Sequence, residues 1–462
     1  MNAKSFFAQW WGLIAIGVLA ALVFIGFLAI RALFVVRAVR PNQMQPPATM
    51  LALRIPSQPL APVSSDYNQF LLASPNKTAA TIYTKYAPKY SSQDAWTTWP
   101  LKNWRPPQPL AADQTAWLAA NQEFIIDLET LASAGGIPMA SCEQAIANER
   151  NNTGIVFVFN QTPIPELSIF HFGAVMLAAE CRRLRTNGEM SRAAECLLAI
   201  YPLSRSIREP GTLNHLIAIA MQNTANEELG QWIGTGNFPA EFNQRFQERI
   251  TADAITLANY RRILDVEYCC GRNYLIAALN GPVGDLVIFN VLIELAKGTS
   301  RNRKTPPENG NIVAQSAGVV KWQVGAWIEA AKMKANASSI VERYDANYMK
   351  LAQSINNQPI TMQQSDDPLD IIIPNEPETR TRTLITEAKA GLVSEGLGLL
   401  VGSNANQNDP FAQKPMNAIR ETTSTLIYSI GPDYADQRGA ISYDPTNGIF
   451  SGGDILIRIP RR

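Results

Sequence analysis

Histidine is nearly absent: the 462 residues contain only His171 and His215. The five cysteines, Cys142, Cys181, Cys196, Cys269 and Cys270, show no CxxC pair and no metal-ligand spacing, which excludes the usual zinc and thiol-redox signatures. An odd number at irregular intervals is also not the framework of a small disulfide-stapled domain. Charge is scarce at 17%, and 40 basic against 39 acidic residues leave a net charge of +1. Such a balance gives no counterion-release term for nucleic acid, so no nucleic-acid partner is expected. GxSxG, HExxH and Walker A motifs are absent, so the chain names no reaction through a motif. Apolar residues make up an ordinary 46%, so the low charge does not mark disorder. Solubility rests on 57 Asn and Gln more than on 39 Asp and Glu.

A long hydrophobic run is present. No charge falls between Lys4 and Arg31, and Trp11 to Ile30 is a run of 20 apolar or glycine residues, which as a helix spans about 30 Å, the thickness of a bilayer core. Trp10 and Trp11 at one end and Arg31, Arg37 and Arg40 at the other are interfacial anchors. The run is too long for a cleaved signal peptide, so residues 1–40 are expected to be a retained single-pass transmembrane anchor with its flanks. Counting positive charges favours a cytoplasmic C-terminal body, because Arg31, Arg37, Arg40 and Arg54 follow the run without an acid. The amide-rich, lysine-poor body (13 Lys, 27 Arg) and the resemblance described below favour the opposite. The expected location is extracytoplasmic.

Residues 41–111 read as a Pro- and Trp-rich stalk and irregular segment, with prolines at 41, 46, 47, 56, 59 and 62. Trp96, Trp99, Trp104 and Trp117 are expected to pack this segment on the body; a sugar or lipid platform is the alternative. Residues 112–402 read as a helical body. Leu118, Phe124, Ile125, Leu128 and Leu131 recur at mostly helical steps until Gly135-Gly136. After a candidate strand at 154–159, helices are predicted at 167–186, from Ser191 on, and at 211–229, 239–279, 283–297, 317–335, 338–356 and 379–401. Residues 403–462 form a turn-rich tail with strands around 426–430 and 454–459. The fold class is therefore mainly α: αα-hairpins with a small C-terminal β element.

The hairpin around Gly188 resembles one tetratricopeptide unit, but no 34-residue repeat follows it, so an ordinary αα-hairpin is the simpler reading. Cys269 and Cys270 are read as buried thiols, and a Cys181–Cys196 bridge across the hairpin is conceivable outside the cytoplasm. His171, between two phenylalanines, and His215, in an apolar helix, have no ligand at i+4. Each is read as a packed, hydrogen-bonded histidine.

The tail carries Asp409-Pro-Phe-Ala-Gln-Lys-Pro415, then Tyr428-Ser-Ile-Gly-Pro-Asp433, Tyr443-Asp-Pro445 and Gly452-Gly-Asp-Ile455. This order of turns resembles the ending of uncharacterised membrane-anchored proteins of planctomycete-type bacteria, and it is similar to the tail of major pseudopilins of type II secretion. In the latter the loop between these turns binds calcium, so the resemblance implies Asp433, Asp436, Asp444 and Asp454 as candidate Ca²⁺ ligands. Here Tyr434 replaces the usual glycine after the GPD turn, and Gln437 and Arg438 stand for a second aspartate and glycine. That thins the ligand set, and the favoured alternative is a metal-free β-hairpin whose aspartates face Arg438 or backbone N–H groups. The anchor lacks a prepilin cleavage site, which does not support a pilin role. The expected function is a membrane-tethered, non-enzymatic scaffold or accessory subunit that binds a protein partner or a second copy through its helical body. The alternatives are a cell-envelope hydrolase using buried carboxylates and a pseudopilin-like secretion component.

Overall fold

The computed structural model describes residues 81–82, 84–86, 99–136, 167–209, 211–280, 333, 335–355, 376–403 and 406–461. The anchor at 11–30, the proline stalk, the strand at 154–159, the helix at 283–297 and all of the helix at 317–335 but residues 333 and 335 lie outside the described residues. Among the described residues no helix is long and apolar enough to cross a membrane. The chain divides into a larger unit, Ile55–Cys270 with Leu351–Gln363 and Ile373–Arg462, and a smaller one, Met1–Arg54 with Gly271–Lys350 and Gln364–Ile372.

The larger unit is mainly helical. Its helices are α1 (Ala112–Ala120), α2 (Gln122–Ser133), α3 (Ser168–Thr186), α4 (Met190–Ile207), α5 (Thr212–Gly234) and α6 (Asn243–Asp253). Three more follow, α7 (Leu257–Asn280), α8 (Ala337–Ser354) and α9 (Glu376–Leu400), of which α7 and α8 also run into the smaller unit. The α3–α4 hairpin forms as its sequence requires. Gly188 takes φ +83, the Gly188 N–H donates to the Arg185 carbonyl, and the Glu189 N–H donates to that of Leu184. These are the two bonds of a Schellman ending, which only a left-handed residue permits. Ala174, Ala178 and Ala179 on α3 and Ala193 and Ala194 on α4 are fully buried, so small residues let the two backbones approach.

The predicted helix over 239–279 is broken. A 3₁₀ turn at Ala240–Phe242 leads into α6, and residues 254–256 separate α6 from α7. The break is held from outside: Gln222 of α5 donates to the Asp253 carbonyl and accepts from the Ile255 N–H. Asn259 then accepts the Thr256 N–H at 3.0 Å and starts α7.

The tail shares the core of the helices. Strands β1 (Asn408–Asp409) and β2 (Lys414–Pro415) pair, and β3 (Asn417–Arg420), β4 (Ser424–Ser429) and β5 (Ile455–Pro460) form an antiparallel sheet in the order β3-β4-β5. Ile427 faces Ile457 across the β4–β5 ladder, and buried Ile455, Ile457 and Ile459 alternate with exposed Arg458. Glycines on α5 and α9 admit these isoleucines: a Cβ on Gly396 would lie 2.9 Å from Ile459 Cδ1, and one on Gly230 3.5 Å from Ile457 Cδ1. The outer edge of β5 is protected, because the Arg458 carbonyl lies against Gly234 of α5 and Pro460 has no N–H to offer. Strand β3 and the β1–β2 pair were not legible in the sequence.

Trp99, Trp104 and Trp117 pack on the helical core, as read, and Trp96 lies outside the described residues. Trp99 and Trp104 are buried, and the Trp99 ring meets Phe172 edge-on with centroids 4.2 Å apart. Arg182 of α3 donates to the Pro107 carbonyl at 2.9 Å. In the smaller unit, Arg272 and Asp345 form a buried two-pronged pair at 2.8 and 3.2 Å.

Candidate functional site

Helices α2, α4 and α6 enclose an open groove of about 730 Å³. Ala132, Leu198, Ala199 and Pro202 supply apolar lining, and Ile126 stands beside them 51% exposed. Its charged lining is balanced, with Arg192, Arg245 and Arg249 against Glu129, Glu195 and Glu248. Arg192 Nη2 lies 2.9 Å from Glu129, and Arg249 lies 3.4 Å from Asp253, which is outside the groove lining and also pairs with Arg205 at 2.9 Å. Arg192, Arg205 and Arg249 are 47%, 40% and 42% exposed, whereas Glu129 is 15% and Asp253 0% exposed. Arg245 is engaged through both Nη atoms by Glu195, at 2.8 and 3.0 Å. A second groove of about 420 Å³ lies between α5, α9 and β5, beside the Lys389–Glu227 pair.

Cys196 of α4 donates its S–H to Glu129 at 3.1 Å. Both Cys181 and Cys196 are buried free thiols, so the conceivable bridge across the hairpin is not formed. Burial pushes both thiols well above the ordinary range, which leaves them without thiolate character. Cys269 is half-buried.

Two glutamates with raised pKa hold backbone, whereas Asp265, also raised by burial, pairs with Arg261. Glu267 of α7, pushed up by burial, accepts the Thr212 N–H at 2.8 Å and caps the start of α5. Glu387 of α9, shifted the same way by burial, accepts the Leu257 N–H at 3.1 Å and caps α7. Neither lines either groove. His215 is fully buried, stacks on Tyr260 and bonds through Nε2 to the Thr383 hydroxyl at 2.9 Å, while burial and Arg208 lower its pKa to about 3. His171 is half-buried, and burial and Arg105 lower its pKa.

In the tail the four candidate aspartates divide. Burial first, and then the charges of Asp436 and Asp433, raise the pKa of Asp454. Asp444 stands apart and exposed, capping the 3₁₀ turn Pro445–Asn447 through the Thr446 N–H at 2.9 Å. The Thr446 bonds lower its pKa. Asp433 accepts from the N–H groups of Ala435 and Gly453 and from the Gln437 amide, Asp436 from the Arg438 N–H, and Asp454 from the Gly439 N–H at 2.6 Å. The backbone thus faces these carboxylates. Tyr434 and Arg438, at the two positions where the resemblance places glycine, take φ +57 and +55, the left-handed conformation that glycine adopts without cost. Asp454 Oδ1 and Gln437 Oε1 are buried without a hydrogen-bond partner. Two such oxygens do not fill a Ca²⁺ shell of roughly six to eight. Among the described residues no group of three or more His, Cys, Asp or Glu is arranged to hold a metal ion.

Asp409 opens the Asp-Pro-Phe motif, and its side chain was assigned no role in the sequence. It is fully buried and accepts the Phe411 N–H at 2.9 Å, the Ser429 hydroxyl at 2.8 Å and the Ile430 N–H at 2.9 Å. The groove arginines were missed as well: Arg192 and Arg245 pair with carboxylates about 50 or more residues away, and the Arg249–Asp253 pair, four residues apart on α6, looks in the sequence like any surface helix pair. No family model, no curated protein and no solved structure matches this chain.

Proposed function

We propose that the protein is a membrane-tethered, non-enzymatic scaffold or accessory subunit. In this reading residues 11–30 anchor it, the proline stalk lifts the body from the membrane, and the body is extracytoplasmic and presents a helical groove to a protein partner. The observation that carries the reading is the open groove across α2, α4 and α6, whose lining arginines Arg192, Arg245 and Arg249 are each paired with a carboxylate. The raised-pKa glutamates, which would be the resource of a hydrolase, are spent on capping α5 and α7. Purification of the full chain in mild detergent tests it: a co-purifying partner or a defined oligomer is expected, and a monodisperse monomer would count heavily against it. Protease shaving of intact cells tests the orientation, with loss of the body expected and full protection contradicting it.

A further inference from the structure

We infer that the edge of β5 facing α5 takes an extended polypeptide segment of a partner, added as a further strand in the groove between α5, α9 and β5. This surface is separate from the α2–α4–α6 groove, and the inference does not depend on it.

The ladder fixes which backbone groups are free. The Arg461 N–H donates to the Thr423 carbonyl. In the β4–β5 register, Ile455, Ile457 and Ile459 therefore bond to β4, while the N–H and carbonyl groups of Asp454, Leu456 and Arg458 turn to the outer edge. The chain already adds to this edge at Asp454. The Asp454 N–H donates to the Ile441 carbonyl at 2.8 Å, its carbonyl accepts the Tyr443 N–H at 2.9 Å, and Ser442 pairs parallel to it. The 3₁₀ turn Pro445–Asn447 then ends that added segment. At the other end the Arg458 carbonyl lies against Gly234, and Pro460 has no N–H. Leu456 stands between the two and lines the groove of about 420 Å³. Its outward N–H and carbonyl have no partner among the described residues. An occupant that continues the pairing begun at Asp454 has to bring backbone N–H and carbonyl groups of its own.

The helix wall offers a further donor. Asn226 of α5 lines the groove and is 2% exposed. Its Oδ1 accepts the Tyr201 hydroxyl at 2.9 Å, whereas its Nδ2 is buried with no acceptor. An extended segment carries hydrogen-bonding groups on both edges, so one edge can pair with Leu456 while a carbonyl on the other takes the Asn226 amide. Gly230 and Gly234 keep the α5 wall free of side chains, and Leu392, Val393 and Ile457 add apolar lining for one inward side chain. Lys389 is paired with Glu227, and Arg458 with Glu421, so the groove selects for backbone and not for charge. From Asp454 to Arg458 the edge spans about 13 Å, room for about three residues of an added strand.

The test is fluorescence anisotropy on the full chain in mild detergent. The probes are a labelled, end-blocked Val/Thr pentapeptide and its counterpart with every backbone nitrogen methylated. Saturable binding of the first is expected, and binding about tenfold weaker for the second, because main-chain hydrogen bonds supply the affinity of an added strand. Leu456→Pro removes the outward N–H without touching the β4 ladder, and is expected to weaken binding about tenfold. Ala418→Pro makes the same change on the far edge of the sheet, where the Glu421 N–H to Ser424 bond sets Ala418 outward, and is expected to bind as wild type. Asn226→Leu leaves the strand untouched and is expected to bind about threefold more weakly; it decides the matter if Leu456→Pro fails to fold. No saturable binding, equal binding of the two peptides, equal losses in Leu456→Pro and Ala418→Pro, or affinity unchanged in both Leu456→Pro and Asn226→Leu would overturn the inference.

Discussion

The Asp409 carboxylate grips Ile430 across the tail, accepting its N–H at 2.9 Å while also taking the Ser429 hydroxyl at 2.8 Å. The Asp-Pro-Phe segment and the Tyr-Ser-Ile-Gly-Pro-Asp turn are therefore one structural device: the first supplies the acceptor that fixes the start of the second. Asp409→Ala leaves the Phe411 and Ile430 N–H groups and the Ser429 hydroxyl without this partner in a buried site, with an expected loss of about 3 kcal/mol. Asp409→Asn keeps a carbonyl acceptor and is expected to lose less. Urea unfolding of the two variants checks the order, and equal losses would contradict the role of the acceptor.

What the sequence disclosed depended on how local the cause was. The α3–α4 turn was legible because its signal, Asn187-Gly188 between two small-residue helices, is contiguous. The strands β4 and β5 were legible from runs such as Ile455-Leu-Ile-Arg-Ile459, whose alternation places one face inward. The break between α6 and α7 was not, because the amide that holds it belongs to Gln222, 31 to 33 residues away. Of the candidate aspartates, the charges of Asp433 and Asp436 act on Asp454, and Asp444 caps a separate turn. Their shared identity as turn acids said nothing of which turns close on one another.

The tail closes at two glycines. A Cβ on Gly431, at φ +73, would sit 2.2 Å from the Gly453 carbonyl oxygen, an overlap only backbone movement could relieve. Gly431→Ala is expected to cost about 3 kcal/mol, from the left-handed conformation and the collision together. Gly402, at φ +71, has nothing within 4 Å, so Gly402→Ala isolates the conformational part at about 1 kcal/mol. Thermal melts of the pair separate the two contributions. Similar losses in both would mean that the Gly431–Gly453 approach relaxes freely.

His215 makes the fold sensitive to acid. Burial keeps the folded imidazole neutral down to about 3, while in the unfolded chain it protonates as pH falls through about 6.5. Between these values the unfolded state binds more protons, so stability falls with falling pH, by about 2 kcal/mol at pH 5. Asp265 acts in the opposite sense: burial raises its pKa to about 6, and its contribution is present below the unfolded value and lost as pH rises through about 6. The His215 part is therefore read from a difference. Wild type should lose more stability than His215→Gln between pH 7 and pH 5, and parallel profiles would show that the imidazole does not titrate on unfolding.

The tail loop separates two outcomes for calcium. Asp433, Asp436 and Asp454 already accept N–H groups from Ala435, Gly453, Arg438 and Gly439, and Arg438 brings a positive charge to the same turn. What remains is Asp454 Oδ1 and Gln437 Oε1, buried and without hydrogen-bond partners, short of the oxygens a Ca²⁺ shell needs. Chelation with EGTA is therefore expected to leave the melting temperature unchanged. Arg438→Gly, which relieves a left-handed arginine at φ +55, is expected to stabilise the tail by about 0.5–1 kcal/mol. A melting temperature that rises with added calcium in wild type and stays constant in Asp454→Asn would reverse this reading. The two orphaned oxygens would then be the start of a coordination shell, completed by carbonyls of the same loop.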